Sequence, residues 1–448
     1  MPEPSQDRKL GLLQATAINM TDMVGIGPFI TLPMVICTMN GPYFLYAWLA
    51  GAVLSMIDAM IWSELGAAFP LAGGSYNFLK ETYSKSGLGK LMSFLFVWQT
   101  MIQAPLVIAS AAIGFASYFS YITPLSTLGT KMMSGGVVIC VILLLFRKIE
   151  DIGKISVCLW VAVIGTMAWI IGGGLMHGNF INPIVHINDG LTIDHTFAAA
   201  LGFASVKSVY SYLGYYNVCH LGGEIINPSK NIPRSMFLSI IGIFVLYMCM
   251  NISIVSVIPW QQAKDSEFVI SLFMQQLAGP TAAHIITCLI LLVAFASVFS
   301  ATLGYSRIPY AAAKDGAFFK AFARVHPTEH FPYVSLLVLG GIAFVFSLLF
   351  KLSEVISAIL AMRILVQFIG QGVGLLLLRK QNQNEFPYKM PFFPWPVFIA
   401  IAMWVAILIS TGYKMVMGGL LVISLGIVVY YVKRNLEKKS AENPKRHF

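Results

Sequence analysis

Long apolar stretches alternate with short polar connections along almost the whole 448-residue chain. A helix that crosses about 30 Å of hydrocarbon needs about 20 mostly apolar residues, so the stretches can be read as candidate membrane spans. Twelve of them are found, near residues 12–38, 43–68, 90–120, 132–147, 154–176, 196–224, 234–258, 280–312, 333–350, 354–378, 394–413 and 415–432. We therefore predict an all-α polytopic membrane protein with short loops.

The ends of the chain differ from this pattern. Residues 1–11 are predicted to form an N-terminal tail, residues 12–432 one membrane domain, and residues 433–448 a C-terminal tail. The first apolar stretch has no small-residue cleavage pattern at its end, which favours a retained first span over a signal peptide.

Composition and charge refine this prediction. Hydrophobic residues make up 57% of the chain and charged residues 11%, against about 25% charge in soluble domains. Such a composition leaves too few polar residues for soluble domains, and it excludes a nucleic-acid binder, a disordered scaffold and a secreted disulfide module. The net charge of +10 then indicates orientation, because basic residues collect in cytoplasmic loops. With the N-terminus inside, 23 Lys and Arg lie inside and four outside, so both termini are predicted to be cytoplasmic.

Span 1 carries Gly25-Ile26-Gly27-Pro28 near its middle. Proline lacks an N–H and disfavours helical geometry in the residue before it, while glycine adopts backbone angles that other residues resist. We predict two half-helices, with proline in the first turn of the second. The freed N–H groups of Ile26, Gly27 and Phe29, with the helix dipole, would bind an anion at membrane depth. A kinked packing helix is the alternative.

Span 6 contains a comparable interruption, Tyr212-Leu213-Gly214-Tyr215-Tyr216-Asn217. Spans 1 and 6 each open a block of five spans, so the two interruptions occupy corresponding positions. Such a pairing indicates a transporter site between inverted repeats. Non-helical backbone at this depth is tolerated only where it lines a cavity or is buried in protein.

Four segments resemble the amino acid–polyamine–organocation superfamily of permeases. They are GIGPF (25–29), ELGAAFPLAGGSYNFLKETY (64–83), GGEIINPSKNIPRS (222–235) and SRIPYAAAKDGAFFKAFARVHP (306–327). The resemblance implies a LeuT-type fold of twelve transmembrane helices. In that fold spans 1–5 and 6–10 are inverted repeats, spans 1 and 6 are broken, and spans 11 and 12 are accessory.

The same resemblance implies amino acid transport and assigns a site. The substrate carboxylate would meet the backbone N–H groups of Gly25, Ile26 and Gly27, and the ammonium would meet carbonyls at both breaks. A span 6 aromatic residue, Tyr212 or Tyr215, would close over the ligand as a lid. The residues expected to bind substrate are Met23, Val24, Gly25, Ile26, Gly27, Tyr210, Tyr212, Leu213, Gly214 and Tyr215.

The chain also departs from the family. Many members carry a span 5 lysine that stands in for a sodium ion, and Val163 occupies that position here. Asp22 and Lys207 are charges where the family is apolar or small, and intramembrane charges are usually functional. Asp22 could carry a proton or contact a cation, and Lys207 could replace the missing span 5 charge. A polar inter-helix contact and snorkelling toward the outer face are the alternatives.

Other polar residues within the spans have weaker assignments. Ser297 and Ser300, one turn apart, could offer hydroxyls to a sodium ion, although such serines often bond to their own backbone. For Arg363, structural pairing is favoured over a substrate role. Asp58 and Glu64 are expected to support gating contacts at the inner mouth. Na⁺ or H⁺ would be the coupling ion, and neither a cofactor, a metal site nor a catalytic residue is predicted.

We predict secondary active transport of amino acids, by symport or exchange, across the plasma membrane (the inner membrane if bacterial). The largely apolar and aromatic pocket favours neutral amino acids. The alternative is a membrane sensor that keeps the fold and binds without transporting. An enzyme is not predicted, because the eight histidines are dispersed. The expected partners are the substrate and the lipid bilayer, without nucleic acid. Members that resemble animal light-chain transporters bond a glycoprotein partner through a Cys in the loop after span 3. The corresponding loop here, at about 119–131, has no Cys, so no disulfide-linked ancillary subunit is expected.

Overall fold

A computed structural model describes residues 10–71, 73–146, 149–327, 331–381 and 386–442. Across these ranges the chain is helical, and the only β-pairing is an isolated bridge between Leu10 and Ile225. The helices are α1 Leu12–Met23, α2 Gly27–Met39, α3 Leu45–Ala68, α4 Ser75–Thr82, α5 Gly89–Ile122, α6 Thr127–Leu145, α7 Ile149–His177, α8 Asn182–Val185, α9 His195–Tyr212, α10 Pro228–Val257, α11 Trp260–Ala263, α12 Val269–Lys314, α13 Tyr333–Leu349, α14 Leu352–Arg363, α15 Ile369–Gln381, α16 Trp395–Ser410 and α17 Tyr413–Glu442.

Many of these helices are long and apolar enough to cross a bilayer. By length and composition, seven helical segments qualify within the described ranges: α3, α5, α6, α10, α12, α14 with α15, and α17. The pair α1 and α2, bent by 54°, makes an eighth if it is counted as one span. The other four predicted spans coincide with α7, α9, α13 and α16. The predicted all-helical, polytopic membrane protein is confirmed at this level.

The interruption of span 1 lies where glycine and proline predict it. Helix α1 ends at Met23, Val24 leaves the helical region (φ −87°, ψ 86°), and α2 begins at Gly27 with Pro28 in its first turn. Because proline has no N–H to offer to the preceding helix, the chain can restart there without losing a further backbone bond.

Span 6 is interrupted at its predicted glycine. Helix α9 ends at Tyr212, and Gly214 has a φ of 120°, a backbone conformation that side chains other than glycine rarely adopt. A 3₁₀ turn then covers Asn217–His220. The side-chain oxygen of Asn19, on α1, accepts a hydrogen bond from the Val218 N–H at 2.8 Å. The two interrupted segments are therefore joined directly.

The long helices form two packed groups. In one, α3 packs against α9 and α10, α2 against α9, and α1 against α10; in the other, α5, α6, α12 and α13 pack together. Helix α7 contacts both α10 and α12, and α14 contacts both α5 and α9. The interrupted segments belong to the first group and face the second.

Two buried carboxylates on α3 tie distant helices together. Asp58 accepts hydrogen bonds from the Tyr215 hydroxyl at 2.5 Å and the Trp404 indole N–H at 2.8 Å. Glu64 accepts two bonds from Arg379 on α15, from Nε at 2.5 Å and Nη2 at 2.8 Å. Both carboxylates thus connect α3 to elements far away in the sequence.

Candidate functional site

A cavity of about 200 Å³ lies where the two interrupted segments meet, and α5, α7, α12 and α14 complete its walls. Most of the residues predicted to bind substrate or a coupling ion line it. These are Asp22, Met23, Val24, Gly25, Ile26, Gly27, Tyr210, Leu213, Gly214, Ser297 and Ser300.

Hydrogen bonds at the span 1 interruption leave one backbone donor free. The Ile26 N–H donates to the Ser297 hydroxyl at 2.9 Å, and that hydroxyl donates to the Val293 carbonyl at 3.0 Å. The Phe29 N–H donates to the Ile26 carbonyl at 3.1 Å. Of the three donors that the sequence predicts to be free, only the Gly27 N–H has no partner in the described part of the chain. It lies at the positive end of the α2 dipole.

Carbonyl acceptors lie on both sides of the same cavity. The Met23 carbonyl, which was predicted to face a substrate ammonium, accepts a bond from the Tyr247 hydroxyl at 2.7 Å. The carbonyls of Val24 and Leu213 accept no hydrogen bond from any described residue. The residues that line the cavity therefore include one with an unpaired backbone donor and two with unpaired backbone acceptors.

Two glycines allow the interrupted segments to approach each other and α12. A Cβ atom on Gly214 would lie 3.0 Å from both the Asp22 carbonyl carbon and the Met23 nitrogen. A Cβ atom on Gly25 would lie 2.8 Å from the Ser297 Oγ. Any larger residue would have to push these atoms apart.

Neither tyrosine predicted as the lid lines the cavity in this structure. Tyr212 is fully buried outside the cavity, with its ring against Trp48 and Tyr247. Tyr215 is also buried, and its hydroxyl is occupied by Asp58. The chain turns sharply after Tyr212, so neither side chain reaches the lining.

Tyr210 takes the position that was predicted for the lid. It was expected to contribute only its carbonyl, but its side chain borders the cavity one half-turn before the interruption. Its hydroxyl shares a 2.7 Å hydrogen bond with the Ser110 hydroxyl on α5. This contact joins the two packed groups at one end of the cavity.

Lys207 does not line the cavity. Its ammonium donates to the Thr38 hydroxyl at 3.1 Å and to the Phe203 carbonyl at 3.3 Å. Val163, at the span 5 position where many family members carry a lysine, does line it. Lys207 therefore does not stand in for a charge at that position in this structure.

Arg363, Tyr216 and Tyr305 also line the cavity, and none of them was predicted to bind substrate. Arg363 is 3% exposed, and its Nη2 donates to the Tyr305 hydroxyl. Its guanidinium carbon lies 5.6 Å from the centre of the Tyr216 ring and 5.8 Å from that of Tyr305. The only sequence signal was an arginine within an apolar span, which by itself is equally typical of structural pairing.

The chain is similar to known amino acid permeases along nearly its whole length. A family model described as "Amino acid permease" matches residues 10–431. The chain is 23% identical to the branched-chain amino acid permease BcaP of Bacillus subtilis (strain 168), with 96% of this chain and 94% of the relative covered. It is 24% identical to the serine/threonine exchanger SteT of the same organism, with 97% and 98% covered. It is also 24% identical to the human cystine/glutamate transporter, with 96% and 86% covered.

The family match spans nearly the whole membrane domain, and these relatives are transporters rather than enzymes. The chain therefore belongs to the amino acid permease family, as a multi-pass membrane protein.

Proposed function

We propose that this protein is a secondary transporter that moves amino acids by alternating access. The observation that carries the proposal is the meeting of two interrupted helices around one cavity. The Gly27 N–H lies at the positive end of α2, and the free carbonyls of Val24 and Leu213 lie in the same cavity. A zwitterion needs opposite dipoles for its two charged ends, and this arrangement supplies both.

The proposed architecture is the LeuT-type 5+5 inverted repeat of twelve spans, with residues 12–432 as the transporter domain. Two packed groups of helices, with α7 and α14 touching both, support it. Helices α16 and α17 would be the accessory spans. One group could then rock against the other around the cavity, which is how such repeats give alternating access.

We place both termini in the cytoplasm and the protein in the plasma membrane, or the inner membrane if the source is bacterial. The support is the distribution of 23 basic residues inside and four outside. In this orientation Tyr210 lies on the outer side of the cavity, and its bond to Ser110 closes the outer path. Asp22, toward the cytoplasmic end of the cavity, is solvent-exposed, which supports a cavity open to the inside.

Asp22, Ser297 and Ser300 remain our candidates for ion or proton coupling, because all three line the cavity. Lys207 is a weaker candidate, because its ammonium is bonded elsewhere. Comparing uptake under imposed sodium, proton and counter-substrate gradients would identify the coupling mode. Asp22→Asn should abolish a proton-driven component and leave exchange in place.

The substrate class rests on the relatives and the lining. Their names specify branched-chain, hydroxylated and acidic or disulfide-containing amino acids, and none is named as a sensor. The apolar walls formed by Val107, Ala111, Leu159 and Val163 support neutral substrates, as the composition of the spans predicts. The buried guanidinium of Arg363, in the same cavity, favours acidic substrates instead.

The test of the proposed function is uptake of labelled amino acids by purified protein in proteoliposomes. Gly27→Val should abolish uptake, because the added methyl groups would fill the space between Gly27 and Tyr210, where a Cβ atom alone already lies 3.4 Å from the ring. Gly136→Val is the matched control, since that glycine is exposed on α6 with open space around it. No uptake or exchange of any amino acid by the wild-type protein would refute transport, and binding without uptake would favour a sensor.

A further inference from the structure

We propose that Arg363 determines specificity by binding a side-chain carboxylate of the substrate, so that the transported amino acids are acidic. The inference rests on the proposed transport function and names the substrate class of the same site. It replaces the expectation of neutral substrates.

Arg363 is a buried cation that no described carboxylate contacts directly; the Asp22 carboxylate, which lines the same cavity, attracts it electrostatically from beyond ion-pair distance. A guanidinium has five N–H donors, and here the nearby acceptors are neutral. The Tyr305 hydroxyl accepts from Nη2. With the Gln103 amide assigned in the orientation that satisfies its neighbours, its oxygen accepts from Nε at 3.0 Å and from Nη2 at 2.9 Å. Among the described residues no carboxylate lies within 4.0 Å of Arg363. The structural partners of Arg363 are thus neutral groups, and no described carboxylate forms an ion pair with it.

One nitrogen of the guanidinium makes no hydrogen bond within the described structure. Arg363 Nη1 is buried and has no hydrogen-bond partner in the described structure, although Arg363 lines the cavity. A buried donor that is left unsatisfied is costly, and an unpaired buried charge is more costly still. A carboxylate that enters with the substrate would satisfy both the donor and the charge.

The backbone and the neighbouring rings fix the guanidinium in place. Helix α14 ends at Arg363 and continues as a π-helical segment, Ile364–Phe368, before α15 begins. Such segments are rare and are common at functional sites. The rings of Tyr216 and Tyr305 lie close to the guanidinium. A positioned planar fork is suited to a carboxylate, which it can bind through two N–H groups.

The charges of the cavity match those of an acidic amino acid. The α-carboxylate would meet the Gly27 N–H and the α2 dipole, and the side-chain carboxylate would meet Arg363. The ammonium would meet the free carbonyls of Val24 and Leu213, with the Asp22 carboxylate in the same cavity. Each charge of such a substrate then has a partner of opposite sign, whereas a neutral amino acid would leave the buried Nη1 of Arg363 without a hydrogen-bond partner.

The test compares nearly isosteric substrates, glutamate with glutamine and aspartate with asparagine, as competitors of uptake in proteoliposomes. In the wild-type protein we expect each acid to bind about 10- to 100-fold more tightly than its amide, the range of a charge-assisted bond. Arg363→Gln should remove most of that preference by weakening the acids while leaving the amides nearly unchanged. Arg363→Lys, which keeps the charge without the fork, should fall between. Lys131→Gln, which removes an exposed cation on α6 away from the cavity, should leave the acid-to-amide ratio unchanged.

Equal competition by acid and amide in the wild-type protein would overturn the inference, and this comparison needs no variant to fold. Arg363→Gln weakening acids and amides equally would also overturn it, because Arg363 would then bind the common α-carboxylate or act structurally. Uptake limited to neutral amino acids would refute the acidic class and leave the proposed function intact. The absence of all uptake would refute the proposed function itself.

Discussion

The contact between Gly25 and Ser297 can be tested by a double-mutant cycle. In Gly25→Ala the new Cβ atom would lie 2.8 Å from the Ser297 Oγ, so that hydroxyl must rotate away. Rotation breaks its bond to the Ile26 N–H, which is 2.9 Å long. A buried N–H left without a partner costs about 1–3 kcal/mol, and we expect Gly25→Ala to destabilise the protein by that amount.

Ser297→Ala removes the same hydrogen bond by a different route, so it should cost about the same 1–3 kcal/mol. In that background the obstacle is gone, because the next nearest atom to the Gly25 position is the residue 297 Cβ at 3.7 Å, an ordinary contact. The second substitution should then be neutral, or stabilising by about 0.4–1 kcal/mol through the unfolded chain. The two changes should therefore be strongly non-additive.

The assay is unfolding of the four purified proteins, wild type, two single variants and the double variant, in the same detergent. We expect the double variant to be no less stable than Ser297→Ala alone. Additive losses, or no effect of Gly25→Ala in the wild-type background, would refute the role given to the Ser297 hydroxyl in holding the interruption of span 1.

Three further predictions concern the bond between Tyr210 and Ser110, the buried ion pair of Glu64 with Arg379, and the interruption of span 6 at Gly214. Tyr210→Phe and Ser110→Ala each remove the 2.7 Å hydrogen bond between the two hydroxyls. Both should therefore shift the equilibrium toward the outward-open state by a similar amount, about 1 kcal/mol. Unequal increases in the accessibility of the cavity from the outside would contradict this. Glu64→Gln should cost about 3–5 kcal/mol in unfolding experiments, because Arg379 loses its buried carboxylate, and a double replacement of the pair by leucine should recover part of that loss. Gly214→Ala should destabilise the protein by about 1–3 kcal/mol, because alanine is strained at the positive φ of residue 214. If this variant were as stable as the wild type, the backbone conformation described at Gly214 would be wrong.

The sequence located the interruptions because their causes are local. Proline at position 28 and glycines at 25, 27 and 214 restrict or free the backbone wherever they occur, so the ends of α1 and α9 follow from the chain itself. The helical character of the twelve apolar stretches follows equally from their length. These features do not depend on which helices are neighbours.

The side chains that line the cavity depend on tertiary structure and could not be assigned in the same way. Helical periodicity stops at Tyr212, so no sequence rule orients the tyrosines that follow, and Tyr210 rather than Tyr212 or Tyr215 borders the cavity. Arg363 precedes a π-helical segment that alters the helical register. Whether it meets a carboxylate on another helix is decided by packing, which the sequence of its own span does not contain.

Substrate protection of a cysteine placed in the cavity tests most directly whether the interrupted helices enclose the transport site. Ala301 lines the cavity on α12, and Ala301→Cys can be labelled with a thiol reagent from the cytoplasmic side, with the unsubstituted protein as background. We predict that a transported amino acid slows this labelling in proportion to its occupancy, with glutamate effective at lower concentration than glutamine. Labelling that proceeds at the same rate at saturating concentrations of every transported amino acid would place the substrate elsewhere.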